Sequence, residues 1–496
     1  MTRPLLLLLS ATVFACAETP CEQLKSVSLP DTTITAAEAV AAGPYRPAGQ
    51  PAAPKGAATA PLQLPAFCRV SATLRPTADS DIEVEFWLPA EWNGKYQAVG
   101  NGGWAGNISY PAMAAALNEG YATSSTDTGH KGGDGAFSAG HPEKVIDYSY
   151  RAVHLMAVRA KAMIQARYGR AAKFSYWNGC SYGGRQGLDE VQLYPEDFDG
   201  VIAGAPANYH LHLHAFDMNV AVTNLQDATH AVPAEKLAVL NTAVLAACDA
   251  LDGVKDGLLN NPRTCKFDPS VLLCKGADAA GCLTSAQLET VKAMYAPAKK
   301  KNGELIYPGL PFGGETGWTR LYATEPMAVP LGSYRFMLHQ DPSWDWRKFD
   351  LETDVAAADE KAAYLNAVSP DLKAFRDRGG KLLMYHGWND QLITAENSIN
   401  YYNSVQKQLG GKQDSWYRLF MVPGMQHCGG GPGPNQFNLM GVMERWRESG
   451  AAPAQIAASH VANNRVDRTR PLCAYPQIAV YSGTGSTNDA ANFSCK

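Results

Sequence analysis

Five residues in the middle of the chain, Gly-Cys-Ser-Tyr-Gly at 179–183, constrain its fold more than any other stretch. The aromatic residues 174–178 before them are typical of a strand, and residues 184–188 after them open what is expected to be a helix. Between a strand and a helix, a Gly-x-Ser-x-Gly motif forms a sharp turn that projects the serine hydroxyl outward. The stretch therefore predicts a nucleophile at Ser181, although a glycine-rich connection with an ordinary serine is the alternative on the pattern alone.

Two cysteines that neighbour reactive side chains connect distant parts of the chain. Cys180 directly precedes Ser181, and Cys428 directly follows His427. If the two cysteines form a disulfide, their Cα atoms lie about 4.4–6.8 Å apart, which brings the serine and the histidine within plausible contact. The two pairs therefore favour a site in which a disulfide fastens a base to a nucleophile.

The combination of a Cys-Ser pair, an aspartate and a His-Cys pair resembles the pattern of the tannase and feruloyl esterase family of α/β-hydrolases. The resemblance extends over nearly the whole chain after its N-terminal leader. It implies an α/β fold in which an α/β-hydrolase core carries a large inserted lid domain.

The aspartate and the histidine of this pattern follow two buried strands. Residues 381–385 and 417–422 are typical of central strands in a parallel sheet. Asp390 follows the first strand and His427 the second, and in this fold the acid and then the histidine come after the nucleophile. The expected roles are attack on an ester carbonyl by Ser181, proton transfer by His427, and orientation of the imidazole by Asp390.

A glycine-rich loop after an earlier strand is the expected second half of an oxyanion hole. Residues 95–99 are typical of a strand and lead into Gly-Asn-Gly-Gly-Trp at 100–104. Glycines let a backbone N–H approach the substrate carbonyl closely. We expect the N–H groups of Gly103 and Tyr182 to bind the oxyanion. Gly102 is the next candidate for this role after Gly103. Turn glycines without this role are the alternative.

Other polar residues near predicted strand ends are weaker candidates for a catalytic or metal-binding role. His386 follows the same strand as Asp390 and is interpreted as its structural neighbour. Asp127 and His130 lie in another strand-end loop, where they could line the substrate cleft or anchor the loop. Three histidines alternate along a segment interpreted as extended, but no nearby carboxylate or cysteine in the sequence supports a metal site. These histidines are His210, His212 and His214.

The length of 496 residues exceeds one ordinary domain, so a core with a large insertion, or two domains, is expected. Alternating strands and helices, which predict a parallel sheet, run to about residue 207 and resume at residue 381. Residues 18–207 and 366–496 are therefore assigned to the catalytic domain, and residues 208–365 to the lid domain.

Composition excludes several classes of partner. A hydrophobic content of 46% with 18% charged residues fits a compact globular protein. The formal net charge of −4 and the dispersed basic residues give no electrostatic footprint for nucleic acid. After the N-terminal leader, no apolar run approaches the length needed to span a bilayer. The resemblance adds a small aromatic ester as the expected partner, and no organic cofactor.

The N-terminus is typical of a secretory signal peptide. A short basic start precedes an apolar run that ends at Phe14, and Ala-Cys-Ala at 15–17 fits cleavage after Ala17. Residues 1–17 are therefore interpreted as the signal peptide of a secreted or periplasmic protein. A lipoprotein motif at Cys16 is the alternative, but the phenylalanine in that motif is awkward, and release is favoured over lipid anchoring.

Cleavage after Ala17 removes one of the eleven cysteines and leaves ten, an even number in a chain sent to an oxidising compartment. Their spacing suggests four local pairs and one long-range pair, and the resemblance supports the same set, but the sequence alone does not establish connectivity. A zinc site is disfavoured because paired Cys-x-x-Cys motifs are absent from the sequence. The expected pairs are Cys21–Cys68, Cys180–Cys428, Cys248–Cys265, Cys274–Cys282 and Cys473–Cys495.

An acidic stretch in the predicted lid could hold a hard cation. Residues 249–258 carry three aspartates at short spacing, with one glycine between the second and the third and another directly after the third, and oxygen ligands of this kind suit calcium. A solvated acidic turn is the alternative, but the resemblance implies a structural Ca²⁺ at the matching lid positions. The expected ligands are the side chains of Asp249, Asp252 and Asp256 and the carbonyls of Val254 and Leu258.

The resemblance implies a secreted serine carboxylesterase that cleaves esters of aromatic acids, with hydroxycinnamates such as ferulate first and gallates next. Hydrolysis of mono(2-hydroxyethyl) terephthalate is an alternative, although the lid lacks the arginine-bearing segment expected to bind a free carboxylate. A catalytically silent secreted binding protein of the same fold is the alternative from another class, and a peptidase is the remaining enzyme alternative. All three triad members and both flanking cysteines are present, which counts against a silent protein.

Overall fold

The computed structural model of the chain describes residues 18–47, 61–104 and 106–496. The predicted signal peptide, residues 1–17, and the alternative lipid anchor at Cys16 lie outside the described residues.

Strands and helices alternate through much of the described chain. The strands are β1 (Thr32–Val40), β2 (Gly43–Tyr45), β3 (Leu62–Leu64), β4 (Phe67–Leu74), β5 (Ile82–Pro89), β6 (Tyr96–Val99), β7 (Ala122–Thr126), β8 (Ser175–Cys180), β9 (Gly200–Gly204), β10 (Ala298–Lys299), β11 (Leu305–Tyr307), β12 (Lys381–Gly387), β13 (Tyr417–Val422), β14 (Gln455–Ala462), β15 (Arg465–Cys473), β16 (Ala479–Tyr481) and β17 (Phe493–Cys495). The helices are α1 (Tyr110–Asn118), α2 (Pro142–Ile146), α3 (Ala152–Tyr168), α4 (Tyr182–Leu193), α5 (His210–Asn224), α6 (Ala234–Cys248), α7 (Ser285–Tyr295), α8 (Ala328–Gly332), α9 (Thr353–Ala362), α10 (Lys373–Asp377), α11 (Ala395–Leu409) and α12 (Leu439–Ser449).

A nine-stranded sheet forms the centre of the molecule, with the strand order β1-β4-β5-β7-β6-β8-β9-β12-β13. Strands β1, β4 and β5 form an antiparallel edge. From β7 to β13 every neighbouring pair is parallel. Because the carboxyl ends of parallel strands meet at one edge of a sheet, loops that follow β8, β12 and β13 lie together there. This architecture confirms the predicted α/β class.

Helices pack on both faces of the sheet, and the alternation of side chains along the strands explains why. Successive residues of a strand point to opposite faces. In β9, Val201 and Ala203 belong to a cluster with apolar residues of α3, α4 and α11, whereas Ile202 packs in a second cluster with Met443 and Trp446 of α12. Since both faces are covered, β9 is buried along its whole length.

The predicted strands agree well with the observed ones. The predicted strands at 95–99, 381–385 and 417–422 correspond to β6, β12 and β13. One prediction is wrong: the segment with the three histidines is not extended but forms the start of α5. Nearly every residue of α5 is buried, so its apolar and polar residues carry no clear helical periodicity.

All of residues 208–365 are described, and their strands β10 and β11 pair only with each other rather than with the central sheet. Apolar residues of this segment form one cluster with residues of the predicted catalytic domain. That cluster joins Leu213, Trp318 and Tyr334 to Trp104 and Tyr148. The segment therefore packs directly on the core, and its assignment as a separate lid domain stays a prediction.

Five disulfides cross-link the described residues with Cα–Cα distances of 5.0–5.9 Å, within the usual range for the bond. They are the five expected pairs: Cys21–Cys68, Cys180–Cys428, Cys248–Cys265, Cys274–Cys282 and Cys473–Cys495.

Among the described residues, one helical stretch, Ala228–Asp252, is long and apolar enough to cross a membrane by length and composition alone. Its central helix α6 turns Leu237, Leu240 and Val244 into the protein interior. Its last residue, Cys248, is tied by a disulfide to Cys265. These contacts are those of a helix packed within the fold.

Candidate active site

The turn between β8 and α4 has the strained backbone that a nucleophile elbow requires. Ser181 has φ 64° and ψ −125°, a conformation that residues with a side chain rarely adopt. A Cβ atom added at Gly179 would lie 2.4 Å from the carbonyl oxygen of Gly183, and one added at Gly184 would lie 2.3 Å from that of Gly204. Glycine is therefore needed for α4 to pack this closely against β8 and β9.

The bond between Cys180 and Cys428 brings the loop after β13 to this turn. The two Cα atoms are 5.9 Å apart, although 248 residues separate the cysteines in sequence. Ser181 and His427, their sequence neighbours, line the same cavity. The structure therefore places the predicted nucleophile and base at one site.

Asp390 lies between two histidines. Its Oδ2 atom accepts hydrogen bonds from Nδ1 of His427 at 2.8 Å and from Nε2 of His386 at 3.1 Å. Its Oδ1 atom accepts the backbone N–H groups of Leu392 and Ile393, each at 2.9 Å. These contacts hold the carboxylate in one orientation, which in turn orients the His427 ring.

His386 acts as a fixed donor toward this carboxylate. Its Nε2 atom faces two acceptors, Asp390 Oδ2 and the carbonyl oxygen of Ile393, so Nε2 carries the proton. Its Nδ1 atom then accepts the hydroxyl of Ser398 at 2.7 Å. His386, which lies within β12 rather than after it, is thus the structural neighbour of Asp390 that the sequence predicts.

The charges of Asp390 and His427 shift their pKa values in opposite directions. Burial alone would raise the pKa of Asp390, but the charge of His427 and the hydrogen bonds from His386 and His427 hold it below its ordinary value. Burial would lower the pKa of His427, but the charge and hydrogen bond of Asp390 outweigh burial and raise it. The pair therefore stabilises a protonated imidazole, as proton transfer from a nucleophile requires.

A cavity of about 410 Å³ opens at Ser181. Gly102, Gly103 and Tyr182, the residues considered for the oxyanion hole, all line it. Gly103 has φ 54°, a left-handed conformation that favours glycine. The remaining walls are mostly apolar and include Leu213, Met327, Val329, Pro330, Leu392 and Ile393. Such a cavity suits an apolar acyl group next to a polar reaction centre.

One wall of this cavity comes from α5 and was missed from the sequence. His210, Leu213, His214 and Asp217 all line the cavity. Leu213, His214 and Asp217 follow His210 by three, four and seven residues, the spacing of one helix face. Asp217 pairs with Arg320, a residue that the sequence also did not single out. Helical spacing was the available signal, but the alternation of histidine and leucine suggested a strand instead.

The loop of Asp127 and His130 is anchored by its own hydrogen bonds. Asp127 Oδ1 accepts the backbone N–H groups of Glu83 and Gly129, each at 2.9 Å. His130 Nε2 donates to the carbonyl oxygen of Trp104 at 2.6 Å. Neither residue is among those lining the cavity at Ser181, so the structure supports the anchoring alternative.

The acidic stretch at 249–258 gathers its three aspartates into one compact loop. Asp249 accepts the backbone N–H groups of Asp256 and Gly257, and Asp252 accepts that of Val254. Burial raises the pKa of Asp252, and the negative charges of Asp256 and Asp249 raise it further. Oxygen ligands of this kind suit a hard cation, but these three carboxylates do not form a group whose ligand atoms all lie within 4.8 Å of one another. Arg470, which pairs with Asp256, already neutralises part of the charge.

Among the described residues, one group of three side chains with metal-ligating atoms in mutual reach consists of His154, Glu190 and Asp197. Asp197 already binds His154 Nδ1 at 2.6 Å and Lys161 Nζ at 3.3 Å. Burial, and then the negative charge of Asp197, raises the pKa of Glu190 well above its ordinary value. The carboxylate of Asp197 is thus already partnered by His154 and Lys161.

The mixed sheet, the strained serine turn and the Asp390–His427 pair together define an α/β-hydrolase of the serine-nucleophile type. The profile of the family described as tannase and feruloyl esterase matches residues 68–496. The chain belongs to this family, and it is a carboxylic ester hydrolase.

Similar proteins cover nearly the full length of the chain. An uncharacterized esterase of Xanthomonas campestris pv. campestris is 40% identical, over 97% of this chain and 92% of the relative. A probable feruloyl esterase B-2 of Aspergillus terreus is 34% identical, over 86% of each chain. The crystal structure of feruloyl esterase B from Aspergillus oryzae superposes with a TM-score of 0.91 at 31% identity, covering 96% of this chain and 99% of the other.

Proposed function

We propose that the chain hydrolyses esters of aromatic acids through an acyl-enzyme intermediate on Ser181. The observation that carries this proposal is the apolar cavity of about 410 Å³ that contains both Ser181 and His427, with His427 hydrogen-bonded to Asp390. The relatives named feruloyl esterase support hydroxycinnamates such as ferulate as the first acyl group, with gallates next.

In the proposed first step, the hydroxyl of Ser181 attacks the ester carbonyl while Nε2 of His427 takes its proton. The tetrahedral intermediate collapses, His427 delivers the proton to the leaving alcohol, and the acyl group stays on Ser181. Water then attacks the acyl-enzyme with His427 again as the base, and the aromatic acid leaves. Asp390 stabilises the imidazolium in both steps, consistent with the raised pKa of His427.

The developing negative charge on the carbonyl oxygen needs hydrogen-bond donors fixed in advance. We assign this role to the backbone N–H groups of Tyr182 and Gly103. Tyr182 is the first residue of α4, where the N–H groups have no partner within the helix and favour an anion. Loss of one such donor typically lowers kcat by about 10²- to 10³-fold.

A panel of esters tests the proposal. Methyl ferulate, methyl gallate, chlorogenate and mono(2-hydroxyethyl) terephthalate are compared as substrates of the wild type and of Ser181→Ala. The expected order is ferulate before gallate before terephthalate, and Ser181→Ala is expected to lose all of these activities. A higher kcat/KM for the terephthalate monoester would overturn the substrate order. Equal hydrolysis by Ser181→Ala would overturn the mechanism.

We propose further that the loop at 249–258 binds a structural calcium ion through the side chains of Asp249, Asp252 and Asp256 and the carbonyls of Val254 and Leu258. When bound, the ion would neutralise the carboxylates of this loop. Chelation is expected to lower the melting temperature, and added Ca²⁺ to restore it. Immediate loss of esterase activity on chelation, with the fold intact, would contradict a structural role.

We propose that the protein is exported and released after cleavage at Ala17, without a membrane span or a lipid anchor at Cys16. Five disulfides support an oxidising compartment. Cell fractionation and N-terminal sequencing of the purified protein test this proposal. A mature chain that begins at Glu18 is expected, and a lipid-modified N-terminal cysteine would contradict it.

A further inference from the structure

His210 is a buried histidine without a hydrogen-bond partner. The residue is 1% exposed, and neither of its ring nitrogens has a partner in the described part of the chain. A neutral imidazole always presents one donor and one acceptor, and buried polar groups are almost always hydrogen-bonded. A partner from outside the protein is therefore the simplest way to satisfy this ring.

The two other histidines of the same helix do have partners. His212 binds the carbonyl oxygen of Ile306 and the carboxylate of Asp359, each at 2.9 Å. His214 Nδ1 binds the hydroxyl of Ser333 at 2.8 Å. His210 thus differs from its neighbours in lacking an internal partner, although it is as deeply buried as they are.

The position of His210 puts this ring in the substrate cavity. His210 lines the cavity that contains Ser181 and His427. Its ring centroid lies 5.9 Å from that of Tyr182, the residue that follows the nucleophile, and 6.0 Å from that of Trp104, with both rings edge to face. A planar acyl group that enters the cavity would pack against these aromatic rings, next to the buried ring of His210.

We propose that His210 recognises the acyl group of the substrate by a hydrogen bond between one of its ring nitrogens and a phenolic hydroxyl. The inference rests on the proposed esterase function and deepens it, because it assigns recognition of the ring hydroxyl of the acyl group to one residue. A phenolic hydroxyl both donates and accepts, so it can pair with either nitrogen of the imidazole.

The electrostatics of the cavity favour a neutral phenol over a carboxylate on the same ring. Burial, followed by the nearby His214 and Arg185, lowers the pKa of His210, so its ring is neutral. A neutral imidazole offers no positive charge to a free carboxylate, and Asp217 in the same cavity wall is already paired with Arg320. An acid such as terephthalate, whose monoester keeps a free carboxylate, is therefore a poorer match than a hydroxycinnamate.

The test removes the hydroxyl from the substrate and the nitrogens from the protein in turn. Values of kcat/KM are measured for the methyl esters of cinnamic acid and of 2-, 3- and 4-hydroxycinnamic acid. We expect the wild type to prefer at least one hydroxylated ester about tenfold, the size of one hydrogen bond. In His210→Phe, which keeps a planar ring, this ratio is expected to fall close to one, while cinnamate itself is still hydrolysed.

Two further variants separate recognition from damage to the helix. His212→Phe makes the same change on α5 outside the cavity and is expected to keep the wild-type ratio. His210→Gln retains a donor and an acceptor and is expected to keep part of the preference, which also covers the case in which the phenylalanine variant does not fold. An unchanged ratio in His210→Phe, or an equal loss in His212→Phe, would overturn the inference.

The panel also distinguishes the two proposals. Hydrolysis of methyl cinnamate without any preference for a hydroxyl would overturn the role of His210 and leave the aromatic esterase intact. A wild-type protein that hydrolyses p-nitrophenyl butyrate but no cinnamate ester would overturn the aromatic substrate class itself.

Discussion

The pair of Asp390 and His427 fixes the pH range in which the esterase works. His427 must be neutral to accept the proton of Ser181, and its pKa is raised by Asp390 above the ordinary value. We therefore expect kcat/KM to fall as the pH drops through an apparent pKa above about 6.5, the unperturbed value for histidine. This fall is measured by determining kcat/KM for a non-ionising methyl ester as a function of pH.

The substitution that tests the role of the Asp390 charge is Asp390→Asn. It keeps the shape of the side chain but removes the charge that stabilises the imidazolium, so the expected loss in kcat is on the order of 10⁴-fold. His386, which also donates to Asp390, should not replace this charge. An acidic limb at or below about pH 6, or near wild-type activity in the variant, would refute the role assigned to Asp390.

A single methyl group at the elbow is expected to destabilise the fold. A Cβ atom at Gly183 would lie 2.9 Å from the carbonyl oxygen of Asn101 and 3.1 Å from the Cα atom of Gly100, both backbone atoms with little freedom to move. We expect Gly183→Ala to lower the free energy of unfolding by about 1–3 kcal/mol, the usual range for overpacking. Urea unfolding measures the change.

Gly281→Ala is the matched control, because a Cβ atom there meets no heavy atom within 4 Å. Its unfolding free energy is expected to stay within about 0.5 kcal/mol of the wild type. If the two variants unfold alike, the close approach of α4 to the loop at Gly100 is not a constraint on this fold.

At the scale of elements, the Cys180–Cys428 disulfide joins the turn after β8 to the loop after β13. It closes a separation of 248 residues, against 8 for the exposed Cys274–Cys282 pair. In the chain-entropy relation, this difference in loop length makes the first bond about 3 kcal/mol more stabilising than the second. We expect the Cys180→Ala/Cys428→Ala double variant to lose both stability and kcat.

The Cys274→Ala/Cys282→Ala variant serves as the reference. It removes one disulfide in the same way but far from Ser181 in the predicted lid, so full esterase activity is expected. Denaturant unfolding and kcat with one methyl ester are measured for both pairs. Equal kcat in the two double variants would show that the long-range bond is not needed to keep His427 at the nucleophile.

Signals confined to a few residues explain which elements could be predicted from the sequence. The glycines around Ser181 and the apolar runs of β12 and β13 specify their own conformations, so both the elbow and the two central strands could be recognised. The cavity wall formed by α5 could not be recognised. Histidine and leucine alternate from His210 to His214, and this pattern covers too few residues to distinguish a buried helix from a strand. The hydrogen bond between Asp390 and His386 depends on the fold of the loop after β12, although their proximity was expected.

For the whole molecule, the boundary between core and lid is the feature that sequence patterns describe least well. The predicted alternation of strands and helices stops near residue 208, but the apolar contacts do not stop there. Leu213 and Trp318 pack in one cluster with Tyr148 and Tyr182. Polar contacts cross the same boundary: Asn389 Nδ2 donates to the carbonyl oxygen of Gly313 at 2.6 Å, and Thr394 Oγ1 donates to that of Gly309 at 2.8 Å.

This shared interior predicts that residues 208–365 do not unfold separately from the rest. A segment whose apolar residues are buried against the catalytic core would expose them if either part melted alone. We therefore expect a single calorimetric transition in the presence of Ca²⁺, with a van't Hoff enthalpy equal to the calorimetric enthalpy. Asn389→Ala, which removes a contact across the boundary, should lower the midpoint of that transition without splitting it. Two resolved transitions, or a folded proteolytic fragment that spans 208–365, would show instead that the lid is an independent domain resting on the core.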